Sequence, residues 1–189
     1  VPIIVHGGAG AKPAPAGSDR FDNFFFTHLV SHPFEQMIAL ACVTAGGVLD
    51  LFPKLSFAFM ESGVGWVPYW ADRLDEHYAL RPKLVPRLRR KPSEHIRSGR
   101  IYFTCEPEET GLPHAIEFLG EELIMYGSDY PHFDCAWPDS ARIIHRRKDI
   151  PETAKQKLLH DNALRFFGFS EHDVPKQPSA LPLWKPAPP

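Results

Sequence analysis

Four short apolar runs, each leading into a side chain able to bind a metal or carry a proton, constrain this chain more than any other feature. They are Ile3-Ile4-Val5 into His6, residues 55–60 into Glu61, residues 101–105 into Glu106, and residues 123–126 into Gly127-Ser128-Asp129-Tyr130-Pro131-His132. Short runs with little polar alternation fit strands buried on both faces, which belong to parallel sheets covered by helices. Helix-length segments separate them. The order β-α-β-α-β-α-β-α implies parallel strands joined by right-handed crossovers, an α/β fold whose strand C-terminal ends share one rim. That rim is where α/β barrels carry their chemistry, so an enzyme is the leading reading.

The 189 residues, 43% hydrophobic and 23% charged, suffice for one substantial core. A (β/α)₈ barrel takes roughly 250 residues, so four strands in this length suggest half of one. The chain opens on Val1 with a strand almost at once, the expectation for part of a longer polypeptide. A net charge of −2 gives no electrostatic reason to expect nucleic acid or an anionic membrane as partner. The basic stretches 87–91 and 142–148 read as solvated faces, and no apolar run approaches the ~20 residues of a membrane span. Cys42, Cys105 and Cys135 are odd in number and scattered, which fits free thiols in a reducing, cytoplasmic setting.

Between the strands, a Gly-rich turn is expected at 6–10 and a flexible loop at 11–17. The apolar spacing predicts a helix over 33–52, interrupted near Gly46-Gly47, and an amphipathic helix over 65–80 carrying Trp66, Trp70 and Leu74 on one face. Residues 87–99 read as irregular. Further helices are expected at 112–119, 140–147, 151–160 and 161–169, the last capped by Gly168. Residues 174–189 hold six prolines and read as an extended tail.

Each candidate site residue has two readings. His6 is either a metal ligand or a hydrogen-bonded core histidine, and Asp129 either a ligand and proton acceptor or the cap of the turn before Pro131. Glu61 is either a proton carrier or one side of a structural ion pair. His132 and His32 either contact substrate or lie on the surface, and Trp66 and Trp70 form either an aromatic wall or core packing. Glu106 either touches substrate or forms an ion pair. His77, His95, His114, His145, His160 and His172 share no pattern and read as surface residues.

Several motifs, in order, carry a resemblance: His6-Gly7-Gly8, Gly46 to Leu55, Glu61-Ser62-Gly63-Val64-Gly65-Trp66-Val67-Pro68-Tyr69, Arg73-Leu74-Asp75, Lys91-Pro92-Ser93-Glu94, Gly127 to His132, and Asn162-Ala163. Together they resemble the C-terminal half of the metal-dependent amidohydrolase-related family that includes aminocarboxymuconate-semialdehyde and γ-resorcylate decarboxylases. The resemblance covers residues 1–169 and leaves 170–189 as a Pro-rich tail. It implies strands five to eight of a TIM barrel with one divalent metal, Zn²⁺ first and Mn²⁺ second. His6 and Asp129 would be its ligands and the rest would come from an N-terminal half, so this segment alone is expected to bind metal weakly or not at all. It also implies a small-molecule substrate and association into a homo-oligomer.

Where the family's decarboxylases carry a His after strand six, this chain has Glu61, a carboxyl able to do the same proton work when its pKa is raised. Asp129 and Glu61 are therefore the expected catalytic residues, with His32, His132 and Trp66 toward the substrate. The first functional expectation is a metal-dependent hydrolase of a small organic substrate. The second is a non-oxidative decarboxylase of a carboxylated aromatic or muconate-type acid. A catalytically silent barrel fragment acting as an interaction module is the reading from another class.

Overall fold

Parallel pairing joins four strands in sequence order into one sheet. In the computed structural model, which describes residues 1–8 and 12–174, these are β1 (Pro2–His6), β2 (Ser56–Met60), β3 (Ile101–Cys105) and β4 (Ile124–Tyr126). The crossovers carry α1 (Phe24–Thr44) and α2 (Val48–Leu51), then α3 (Val67–Leu80) and α4 (Pro92–Ile96), then α5 (Leu112–Leu119). After β4 come α6 (Ser140–Arg146), α7 (Glu152–Gln156), a π-helical turn (Lys157–Asp161) and α8 (Asn162–Phe167). Registers His6↔Met60, Phe59↔Phe103 and Cys105↔Tyr126 align the strand ends along one rim.

Phe103 organises the core. It is fully buried, with the Phe59 ring stacked at 5.6 Å and the Trp66 ring edge-on at 5.9 Å. Ile101, Ile124, Leu112, Ile144 and Leu158 fill the layers around it. Burying each such side chain is worth about 1.5–3 kcal/mol, which is why the helices close over β3 and β4.

Four local expectations need correction. Helix α1 starts at Phe24, not near 33, because Asn23 caps it by accepting from the Phe26 amide at 3.2 Å; Pro33 then lies inside the helix. Burial of Val30, Gln36, Leu40 and Val43 offsets the lost backbone bond. The stretch expected to be irregular contains α4, whose first turn is held by Asp75 from α3, accepting from the Ser93 amide at 2.9 Å and its hydroxyl at 2.7 Å. His95 on α4 is buried, not on the surface, and its Nε2 lies 3.1 Å from Asp50 Oδ2. The expected helix over 151–160 breaks at the π-helical turn, after which buried Asn162 donates to Glu121 O and Ile124 O at 2.7 Å each, tying α8 to β4. Residues 9–11 of the expected turn and loop, and 175–189 of the expected tail, lie outside the described residues.

Candidate active site

The rim brings three elements together. His6 ends β1, Glu61 follows β2 directly, and Asp129 lies three residues beyond β4; His6 Nε2 is 2.8 Å from Glu61 Oε2. Glu61 (φ 59°) and Asp129 (φ 53°) are the non-glycine residues with left-handed backbone among the described residues. That conformation costs an L-residue on the order of 1 kcal/mol and survives only where the surroundings enforce it, commonly at functional sites.

The enforcement around Glu61 is visible. Its amide donates to Thr104 Oγ1 at 3.0 Å, and Glu109 accepts from the Val64 amide at 2.8 Å and the Gly65 amide at 2.5 Å. Gly63 (φ 61°) must be glycine, since a Cβ there would meet the Glu109 carboxylate at 2.8 Å. Buried Gln36 on α1 donates to Val5 O at 3.0 Å and Met60 O at 3.1 Å, bracing the two strand ends that present His6 and Glu61. At Asp129, Oδ1 lies 2.5 Å from His132 Nδ1.

These side chains face one cavity of about 630 Å³, which His6, His32, Glu61, Glu106, Asp129 and His132 line. Burial, then the neighbouring His28, pulls the His32 pKa below its ordinary value, with Glu61 opposing. Glu106 is pushed up to about 7, first by burial and then by the charge of Glu109. The Asp129 hydrogen bond raises His132. Of the expected substrate contacts, His32 and His132 are in the cavity and Trp66 is not: its Nε1 donates to Gly63 O at 3.1 Å while its ring packs on Phe103.

Sequence reasoning passed over His28, Phe24 and Phe133, which also line the cavity. His28 and His32 are one helical turn apart, with ring centroids at 5.6 Å. That spacing was a usable signal, but placing the helix start at 33 hid it. Glu109 and Gln36 left no such signal, because their partners lie 44 and 31 positions away.

The donor set suits a divalent metal. His6 Nδ1 sits within hydrogen-bonding reach of the Gly7 carbonyl, which can only accept, so Nδ1 carries the hydrogen and Nε2 presents its lone pair. That lone pair faces a carboxylate oxygen 2.8 Å away, an arrangement that needs a proton or a cation shared between them. Ligand atoms of His6, His32 and Glu61 lie within 4.8 Å of one another, as do those of Glu61, Asp129 and His132. Imidazoles with carboxylates are the donors of Zn²⁺ and Mn²⁺ sites.

The amidohydrolase family model matches residues 1–169. The chain belongs to the amidohydrolase family. The chain is 30% identical over 154 residues to a 2-amino-3-carboxymuconate-6-semialdehyde decarboxylase of Dictyostelium discoideum, over 80% of its own length and 42% of the relative. Its fold is similar to that of 5-carboxyvanillate decarboxylase from Sphingomonas paucimobilis, with a TM-score of 0.69 and 23% identity over 88% of this chain and 49% of that one. It is likewise similar to a dihydroxybenzoic acid decarboxylase from a Polaromonas species, solved with bound manganese and the inhibitor 2-nitroresorcinol (TM-score 0.67, 21% identity, 89% of this chain and 50% of that one). The chain thus spans about half the length of these relatives, or less. A four-stranded parallel sheet with helical crossovers agrees with part of an amidohydrolase barrel. Among the described residues no helix is long and apolar enough to cross a membrane.

Proposed function

We propose that residues 1–169 form the C-terminal half, strands five to eight, of a (β/α)₈ barrel, followed by a Pro-rich tail over 170–189. In the same reading the complete barrel is a metal-dependent decarboxylase of a small carboxylated aromatic or muconate-type acid. One observation carries it: two rim carboxylates held in left-handed backbone, Glu61 and Asp129, converge with His6, His32 and His132 on one cavity. The decarboxylase relatives favour this reaction over hydrolysis, the first expectation from sequence, and the manganese-bound relative supports a divalent ion without selecting Zn²⁺. The Phe24 and Phe133 rings, 5.6 Å apart and edge-to-face at the cavity wall, offer apolar contact for an unsaturated substrate. The unpaired Cys42, Cys105 and Cys135 suit a cytoplasmic protein.

His6 and Asp129 would hold the ion, which when bound would polarise the substrate carboxylate and its neighbouring oxygen, leaving Glu61 free to carry a proton. Glu61 delivers a proton to the carbon bearing the carboxylate. The bond to the carboxylate then breaks, CO₂ leaves, and the electron pair restores the unsaturated system. Glu106, with its pKa near 7, stores a proton in the same cavity to replace the one consumed.

The test is turnover of the full-length, Mn²⁺-loaded protein with carboxylated phenols and muconates in D₂O and in ¹⁸O-labelled water. Deuterium at the former carboxylate carbon, with no ¹⁸O in the product and activity abolished by Asp129→Asn, is the expected result. Incorporation of ¹⁸O would restore the hydrolase reading. A metal-loaded protein inert toward every substrate would favour the silent module.

A further inference from the structure

Helix α1 is apolar on the side turned away from the sheet as well as on the side that packs against it. Gln36, Leu40 and Val43 are buried on the inner side, and Phe34, Ile38 and Cys42 each stand two positions from Gln36 or Leu40. Two positions turn about 200° round a helix, so these three share the opposite face. Phe34 is 45% and Ile38 48% exposed, and Cys42 is exposed beside them. Among the 21 residues of α1, Glu35 is the one Asp, Glu, Lys or Arg, and its carboxylate is occupied by the Ala16 amide at 2.6 Å. Other helices carry exposed charge: Arg73 and Glu76 on α3, Glu117 on α5, Arg142 on α6 and Glu152 on α7. A helix that is apolar all round is normally a buried one.

Completing the barrel does not bury this face. A second half-barrel extends the sheet beyond β1 and the ring of helices beside α1, whereas Phe34, Ile38 and Cys42 point out of that ring. We propose that the outward face of α1 is the contact between two copies of the protein, packed antiparallel about a two-fold axis near Ile38. The inference rests on the barrel architecture, but not on the metal or the reaction assigned to it.

Two properties of the face suit a second copy. A two-fold axis sets each residue against the same patch of its twin, and an uncharged patch meets itself without like-charge repulsion. Bulk is also placed asymmetrically along the helix. Phe34 lies one turn before Ile38, while the small Ala41, Cys42 and Ala45 lie after it. In an antiparallel pair the Phe34 ring of each copy falls on the small residues of the other, and Ile38 meets its own equivalent at the axis. Large against small is how two helix surfaces interdigitate.

The test follows the mass of the full-length protein by light scattering on dilution. A dimer, or an assembly of dimers, is expected. Ile38→Lys should raise its dissociation constant roughly a hundredfold or more, as loss of a central contact does. Ile38→Ala, a milder change, should shift it in the same direction by roughly tenfold, with circular dichroism unchanged. Phe34→Cys then fixes the arrangement. Positions 34 and 42 are about 12 Å apart along one helix, too far for a disulfide within a chain, so a bond between them must join two copies. Mild oxidation of Phe34→Cys should give a covalent dimer, and adding Cys42→Ser should abolish it. A monomer at every concentration would overturn the inference; Cys42 protected from alkylation in that monomer would assign the face to another segment, such as residues 175–189. An oligomer indifferent to Ile38→Lys would overturn it too, by putting the interface elsewhere. A dimer lost on Ile38→Lys in a protein without turnover would remove the proposed function and leave this inference standing. An active monomer would do the reverse.

Discussion

Strands β1 and β3 are both five-residue, largely apolar segments of one parallel sheet, yet they live in different surroundings. Every residue of β3 is buried, whereas on β1 Ile3 is 36% and Ile4 49% exposed. The neighbouring turns of α1 repeat the pattern, with Phe24, Phe25 and Leu29 exposed. Apolar side chains on an open sheet edge are a liability that proteins normally cover or charge. The composition of β1 therefore reports the cover it is built for, and a second half-barrel beside β1 is the cover that the proposed architecture supplies.

The largest effect should separate the two strands directly. Phe103→Ala on β3 should cost about 3–5 kcal/mol in urea unfolding, while Ile4→Ala on β1 should cost under about 1 kcal/mol in the chain alone. Equal costs would break the comparison. In a full-length barrel the Ile4→Ala cost should rise to about 2 kcal/mol or more, because the same methylenes are then buried.

A smaller effect belongs to the rim. Glu61→Gly and Asp129→Gly should each raise stability by about 0.5–1 kcal/mol in thermal unfolding, since glycine adopts φ near 55° without strain, while activity is lost. Unchanged or lower stability would mean that side-chain contacts outweigh the backbone cost.

The smallest effect is a pH slope on the buried side. Burial lowers the His95 pKa below its ordinary 6.5, against the opposing pull of Asp50. The unfolded chain therefore takes up this proton first, so stability should fall as pH drops below about 6.5. His95→Gln should flatten that slope between about pH 5 and 6.5, and an unchanged slope would assign the dependence to other groups.

Much of the architecture is legible in local pattern. Uninterrupted apolar runs give four parallel strands, and the helix over 112–119 has the bounds its periodicity predicts. Where tertiary contacts overrule propensity, the pattern misleads. Pro33 argues for a helix start, but Asn23 and the buried face of α1 extend the helix past it. His95 looks like a surface histidine until α4 docks on α3 and brings it to Asp50, 45 positions away. Trp66 offers an aromatic wall in sequence and packs on Phe103 in the fold.

By itself the sequence determined which donors stand at the strand ends and that they share a rim, because strand direction follows from crossovers of helical length. Only the tertiary structure decided how those donors group: His6 with His32 and Glu61, and Asp129 with Glu61 and His132. Distances across a rim depend on strand register, on the approach of α1 over Gly7, and on two left-handed residues, none of which is encoded by separation along the chain.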